Sequence, residues 1–208
     1  SLYPPIDEEK ITGFLGEFEF TDAYLNSFNF SLSPNSISQA SANFTVYGAL
    51  NSKPHLLNNY YESKNYSQNS IAHGQESTVL GASTHGIEHP VSFSYSIAVD
   101  RKASYAMPTG DQNSTEGNVP VRVSKKSTAI IMSLEGESIN PDILIDGFNG
   151  KRANLSVNLS DLNYNSFEDN SAGFLHQFNC SGVINKQSLS VQSDGYLNGA
   201  ISVYQSLK

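Results

Sequence analysis

Four of the five histidines fall within one stretch of the chain, at His55, His73, His85 and His89, and only His176 lies elsewhere. Imidazole near neutral pH is the commonest protein ligand for transition metals and for haem iron, and an irregular segment can carry it toward an iron held in an apolar slot. Tyr60, Tyr61 and Tyr66 stand in the same stretch. A loop histidine taken singly is by default a solvated polar residue, so the clustering carries the information.

His85-Gly86-Ile87-Glu88-His89 matches the H-x-x-E-H pattern in which two imidazoles bind zinc and the glutamate activates water. That chemistry needs a helix to align His85 with His89, and Gly86 within the pattern and Pro90 after it both work against one. The zinc hydrolase is therefore a discounted reading. No G-x-S-x-G elbow, Walker A loop or G-x-G-x-x-G turn occurs, which removes the main signatures of acyl, phosphoryl and dinucleotide chemistry. Asp142, Asp146, Asp161 and Asp169 flank expected turns, where aspartate is ordinarily a turn former. Lys125-Lys126 reads as a strand end kept soluble.

The elements that must position these groups are strands. Val91, Phe93, Tyr95, Ile97 and Val99 alternate with Ser92, Ser94, Ser96 and Ala98, the pattern of a half-buried strand. The same period of two recurs at Ala153, Leu155, Val157 and Leu159, at Val119, Val121 and Val123, at Ile130, Met132 and Leu134, and at Leu197, Gly199, Ile201 and Val203. Asp146-Gly147, Asn149-Gly150 and Asp194-Gly195 suit tight turns. Many short strands punctuated in this way predict a sandwich or barrel, and a closed barrel is preferred because it leaves no edge through which an exported protein could aggregate.

The first half gives shorter alternating fragments, at Phe18 and Phe20, at Phe28, Phe30 and Leu32, and at Phe44 and Val46, and periodicity is then lost from Lys53 to Glu88. An aperiodic stretch of that length inside a domain is usually functional or disordered. The expected organisation is all-β, with residues 1–90 forming an N-terminal handle and ligand-binding domain and residues 91–208 a C-terminal antiparallel barrel, divided near His89-Pro90.

Composition narrows the partners. Twelve basic against twenty acidic side chains give a net charge of −8, a field that repels nucleic acid and anionic lipid. Cys180 is the single cysteine, which rules out an internal disulfide and thiolate metal clusters, and is most simply a buried strand residue. No apolar run approaches the about 20 residues of a membrane-spanning helix. A sequence low in cysteine and rich in Asn and Ser fits a bacterial exported protein, and the chain, with no leader before Ser1, is expected to be a mature or trimmed product.

Three segments near the C-terminal end carry a family resemblance: Arg152-Ala-Asn-Leu-Ser-Val-Asn-Leu-Ser160, Phe178-Asn-Cys-Ser-Gly-Val-Ile-Asn-Lys-Gln-Ser-Leu189 and Gly195-Tyr-Leu-Asn-Gly-Ala-Ile-Ser-Val-Tyr204. Together they resemble the closing hairpins of the transferrin-binding-protein-B-like barrel, about a quarter of the chain. The resemblance implies an eight-stranded barrel serving as scaffold and as export signal for an outer-membrane translocator of the surface-lipoprotein-assembly-modulator type. With no cysteine for a lipid anchor at the start, it implies a soluble, secreted, monomeric member similar to the small haem-scavenging hemophilin-type proteins, with haem bound in the N-terminal half.

Such a protein would capture haem and pass it to an outer-membrane receptor of a Gram-negative bacterium. Within that expectation the clustering of histidines makes His85 and His73 the leading axial ligands of iron, then His55 and His89, with Tyr60 and Tyr61 as stacking walls. A cofactor-free surface colonisation or adhesion factor on the same scaffold is the alternative.

Overall fold

The computed structural model describes residues 9–15, 18–34, 36–52, 78–105, 107, 120–138, 150–160, 174–191 and 197–207, and among these described residues the alternation of apolar and small polar side chains gives ten strands and one 3-10 turn. The strands are β1 (Ile11–Leu15), β2 (Phe18–Leu32), β3 (Gln39–Val46), β4 (Leu50–Ser52), β5 (Thr78–Leu80), β6 (Ile87–Ser104), β7 (Arg122–Ser138), β8 (Arg152–Ser160), β9 (Phe174–Val191) and β10 (Leu197–Leu207), and the turn is Ser83–His85. No helix among the described residues is long and apolar enough to cross a membrane.

All strands belong to one antiparallel sheet. Its hydrogen-bonded path runs β1-β2-β6-β7-β10-β9-β8-β5, with β3 and β4 also on β2. The long strand β2 organises one end. Residues 27–31 are paired on both sides, to β6 and to β3, and Ala23 is paired to Ile11 of β1 and Val46 of β3. Strands β1 and β6 therefore share one edge of β2, and β3 followed by β4 takes the other. Past Ser27 the two partners on the shared edge fork apart: β6 goes on with β7 alone, while β1 begins opposite Ala23.

The sheet curls strongly. Four strand spacings separate β2 from β9, about 19 Å in a flat sheet, yet the rings of Phe30 on β2 and Phe178 on β9 lie 4.5 Å apart. Phe178 also meets Phe93 at 5.6 Å and Tyr95 at 4.9 Å, so tilted aromatic rings pack together in the interior. Cross-strand neighbours extend this packing in rows, Phe93 opposite Leu134 opposite Ile201, and Tyr95 opposite Met132 opposite Val203. Met132, Val157 and Val203 are sealed from solvent; burial of side chains this size contributes roughly 1.5–3 kcal/mol each.

Backbone pairing does not close the sheet among the described residues: β5 pairs β8, and no pairing joins it to β2 or β3. A small cleft lined by Leu32, Ser33, Pro34 and Pro90 together with Val79 of β5 brings β5 beside the end of β2 and the start of β6. The short connection from β5 to β6 crosses this seam. It is drawn tight by the Ala82 carbonyl, which accepts the amides of both His85 (3.0 Å) and Ile87 (3.1 Å). Gly81, at φ +86°, makes the tightness possible, since a Cβ there would sit 2.5 Å from the Asn154 carbonyl oxygen.

Several expected patterns meet this structure directly. Ala153, Leu155, Val157 and Leu159 are all buried, as are Ile130, Met132 and Leu134 and the trio Gly199, Ile201 and Val203. Phe93 and Tyr95 point inward, but Val91 is exposed, because register shifts between Ile87 and His89 and between Pro90 and Ser92 break the alternation. Pro90 cannot donate to a ladder. It is accommodated opposite Gly136, where any Cβ would lie 2.2 Å from the His89 carbonyl oxygen. Val121 precedes β7 and is exposed; Val119, Asp146-Gly147 and Asp194-Gly195 lie outside the described residues. The position His89-Pro90, chosen as a boundary, falls within β6, and the aperiodic stretch supplies β5 and the 3-10 turn at its end.

Candidate functional site

Of the residues singled out by the sequence, His85 and His89 are described; His55, Tyr60, Tyr61 and His73 lie outside the described residues. His85 closes the 3-10 turn at the seam, 9% exposed, between the buried residues Ala82 and Ile87. Gly86 then takes φ +79° and the chain enters β6 at Ile87, where His89 is exposed. The helix that a zinc-binding H-x-x-E-H pattern requires is thus replaced by a turn and a strand. No group of three His, Cys, Asp or Glu side chains among the described residues could hold a metal ion. His89 offers its ring to an incoming ligand more openly than His85 does.

His176, set aside by the sequence, packs edge-on against Phe178 with centroids 4.6 Å apart, opposite Leu159 on β8. It is exposed, at the rim of the aromatic interior. Cys180 is buried, its thiol donating to the Val203 carbonyl at 3.6 Å, and burial pushes its pKa up, so it behaves as a core residue and not a nucleophile. Burial, with a smaller contribution from the neighbouring Cys180, likewise raises the Tyr95 phenol.

The feature that sequence reasoning missed is a group of exposed apolar side chains on the N-terminal arm, formed by β1, β3, β4 and the first half of β2. Phe20 is opposite both Gly13 and Leu50, and Ala23 is opposite both Ile11 and Val46. Because Ile11 and Gly13 are two apart on β1 they share a face, which gathers Ile11, Phe18, Phe44, Val46 and Leu50 on one side of the sheet. This is the side that, further along, becomes the packed interior: Phe28 and Phe30 are opposite Ala42 and Ala40 of the same β3. On the arm these side chains stay open, Phe18 at 48% and Leu50 at 63% exposure. Exposed apolar patches rimmed by polar groups mark interaction sites. β4 ends at Ser52, beside Leu50, and β5 begins at Thr78; His55, Tyr60, Tyr61 and His73 lie between them in the sequence.

A charged cluster stands where the arm departs. The guanidinium of Arg101, 8% exposed, lies 5.3 Å from the Tyr24 ring centroid and its Nε donates to the Leu25 carbonyl at 3.2 Å, inside the fork between β1 and β6. The Glu9 carboxylate binds Arg101 and Lys125 at 2.5 Å each. Hydrogen bonds from Lys125, then from Arg101, hold its carboxyl below the usual range against the opposing effect of burial.

The outward face of β6, β7, β10 and β9 is different again, a ladder of small polar groups. Ser133 and Ser202 hydroxyls meet at 2.7 Å, and Asn198 donates to Glu135 at 2.7 Å. A shallow groove of about 220 Å³ runs over it between Ser92, Ser94, Glu135, Lys186 and Ser202.

Compared with known proteins, the chain matches no family model and no curated protein.

Proposed function

We propose that this chain is an exported haem-binding protein that captures haem and delivers it to an outer-membrane receptor, acting as a binder and not an enzyme. The observation that carries the reading is the open apolar face of the arm at the point where the histidine-bearing stretch leaves β4. A porphyrin needs an apolar surface to lie on and an imidazole to reach its iron, and here the two are adjacent along the chain: Phe18 and Leu50 on one side of Ser52, His55 and His73 beyond it. In this reading residues 1–90 are the handle and ligand-binding part and residues 91–208 the scaffold. That scaffold is the eight-stranded, transferrin-binding-protein-B-like barrel recognised by a translocator. The protein works as a monomer, secreted or at the surface of a Gram-negative cell. The axial ligands come from His85, His73, His55 and His89, with Tyr60 and Tyr61 as walls.

Titration of the purified protein with hemin, followed by absorbance, tests this. A sharp Soret band saturating at one equivalent and altered by His73→Ala or His85→Ala supports the reading; a broad band indifferent to both, and to replacement of all four histidines, removes it. A second reading, a cofactor-free adhesion factor, draws on the polar ladder of Ser133, Ser202, Asn198 and Glu135, a surface suited to sugar hydroxyls. Cell or glycan binding that survives loss of all four histidines would favour it.

A further inference from the structure

Arg101 on β6 and Lys125 on β7 are direct cross-strand partners, with a register shift just before Arg101. Like charges placed opposite one another destabilise a strand pair, and Arg101, being nearly buried, loses little of that repulsion to water. A single carboxylate resolves it, and that carboxylate comes from neither strand. Glu9, two residues ahead of β1, reaches across the fork to bind both cations. Each end of the contact serves a different element: Arg101 fills the interval on β2 between Ser27, paired to β6, and Ala23, paired to β1, and Glu9 fastens the start of β1 against that plug.

We propose that Glu9 is a releasable pin: by joining Arg101 and Lys125 it holds β1 and the arm in the fork beside β6, and its neutralisation or screening lets the arm loosen while the rest of the sheet stays folded. The inference does not depend on the haem reading; it concerns how the apolar face of the arm is held, whatever that face binds. Among the described residues the charged groups around the pin are these. Arg101 faces it from β6 and Lys125 from β7, while the adjacent Lys10 is engaged with Asp22 of β2 at 3.0 Å and Lys126 with Asp100 at 4.0 Å. Glu9 and Lys125 are each more than a third exposed, so that arm of the contact is open to salt, whereas the Arg101 arm is sheltered. The carboxyl titrates below its ordinary value of 4.5, so the pin holds fully above that pH and is lost as the pH falls through the lowered value.

Hydrogen exchange resolved by mass spectrometry on the full chain tests the proposal. At neutral pH, Glu9→Gln is expected to speed exchange in 11–15 and 18–23 by roughly two- to fivefold, the range of a half-exposed ion pair, and to leave 153–159 unchanged. Normalised for intrinsic exchange, wild type should show the same local rise as the pH drops below 4.5, and Glu9→Gln should not. Lys125→Met should act less than Glu9→Gln, because it removes the repulsion with Arg101 along with the bond. Exchange in β1 equal to wild type in Glu9→Gln, a uniform rise over the whole sheet, or a larger effect of Lys125→Met overturns the proposal.

Discussion

One face of this sheet leads two lives. Under the curl it carries Phe30, Phe93, Tyr95, Met132, Phe178 and Val203, all buried against side chains from strands several places away. On the arm the same face carries Ile11, Phe18, Phe44, Val46 and Leu50, each between 39% and 63% exposed. The alternation along the strands is alike in both; what differs is whether the sheet returns to cover them. Burial is thus a property of topology added to pattern, and an apolar face left open where topology could have covered it is the strongest pointer to binding in this molecule.

The sharpest contrast comes from equivalent truncations in the two regions. Leu155→Ala, beneath the curl at 2% exposure, is expected to cost about 2–5 kcal/mol by leaving a cavity. Leu50→Ala, on the arm, should stay within about 0.5 kcal/mol. Denaturant unfolding of both variants measures this, and similar costs at the two sites would mean that the arm is packed as the interior is. A smaller effect, of opposite sign, is expected within the interior. Gln187 faces inward opposite Ile201, and both atoms of its amide are buried with no hydrogen-bond partner among the described residues. Gln187→Leu should therefore raise stability by about 1 kcal/mol, the order of the desolvation cost removed. A loss of stability would show that the amide makes an interaction in solution that its present surroundings do not reveal.

Much of the sheet could be read locally. Ala153 to Leu159, Ile130 to Leu134 and Leu197 to Val203 announce strands with one buried face, because a period of two needs only neighbouring residues to be seen. Strand order could not be read in this way. That β5 pairs β8 while continuing directly into β6, or that β2 of the first half pairs β6 of the second, depends on contacts far apart in sequence. Bulges hid from the pattern as well: nothing local to Val91 says that Pro90 and Gly136 shift its register. At the candidate site, the histidine cluster was visible from composition, but the burial of His85 depends on the Ala82 carbonyl gathering two amides. The apolar arm was invisible because exposed and buried alternation look the same in sequence. The Glu9 contact joins residues 92 and 116 positions apart and leaves no local trace.

The most direct test of the account is hydrogen exchange of the arm with and without stoichiometric hemin. If the open face of β1, β3 and β4 is the surface on which the ligand lies, hemin should slow exchange in 11–15, 39–46 and 50–52 and leave 130–134 and 153–159 as they were. No change on the arm, with or without a change elsewhere, would contradict it.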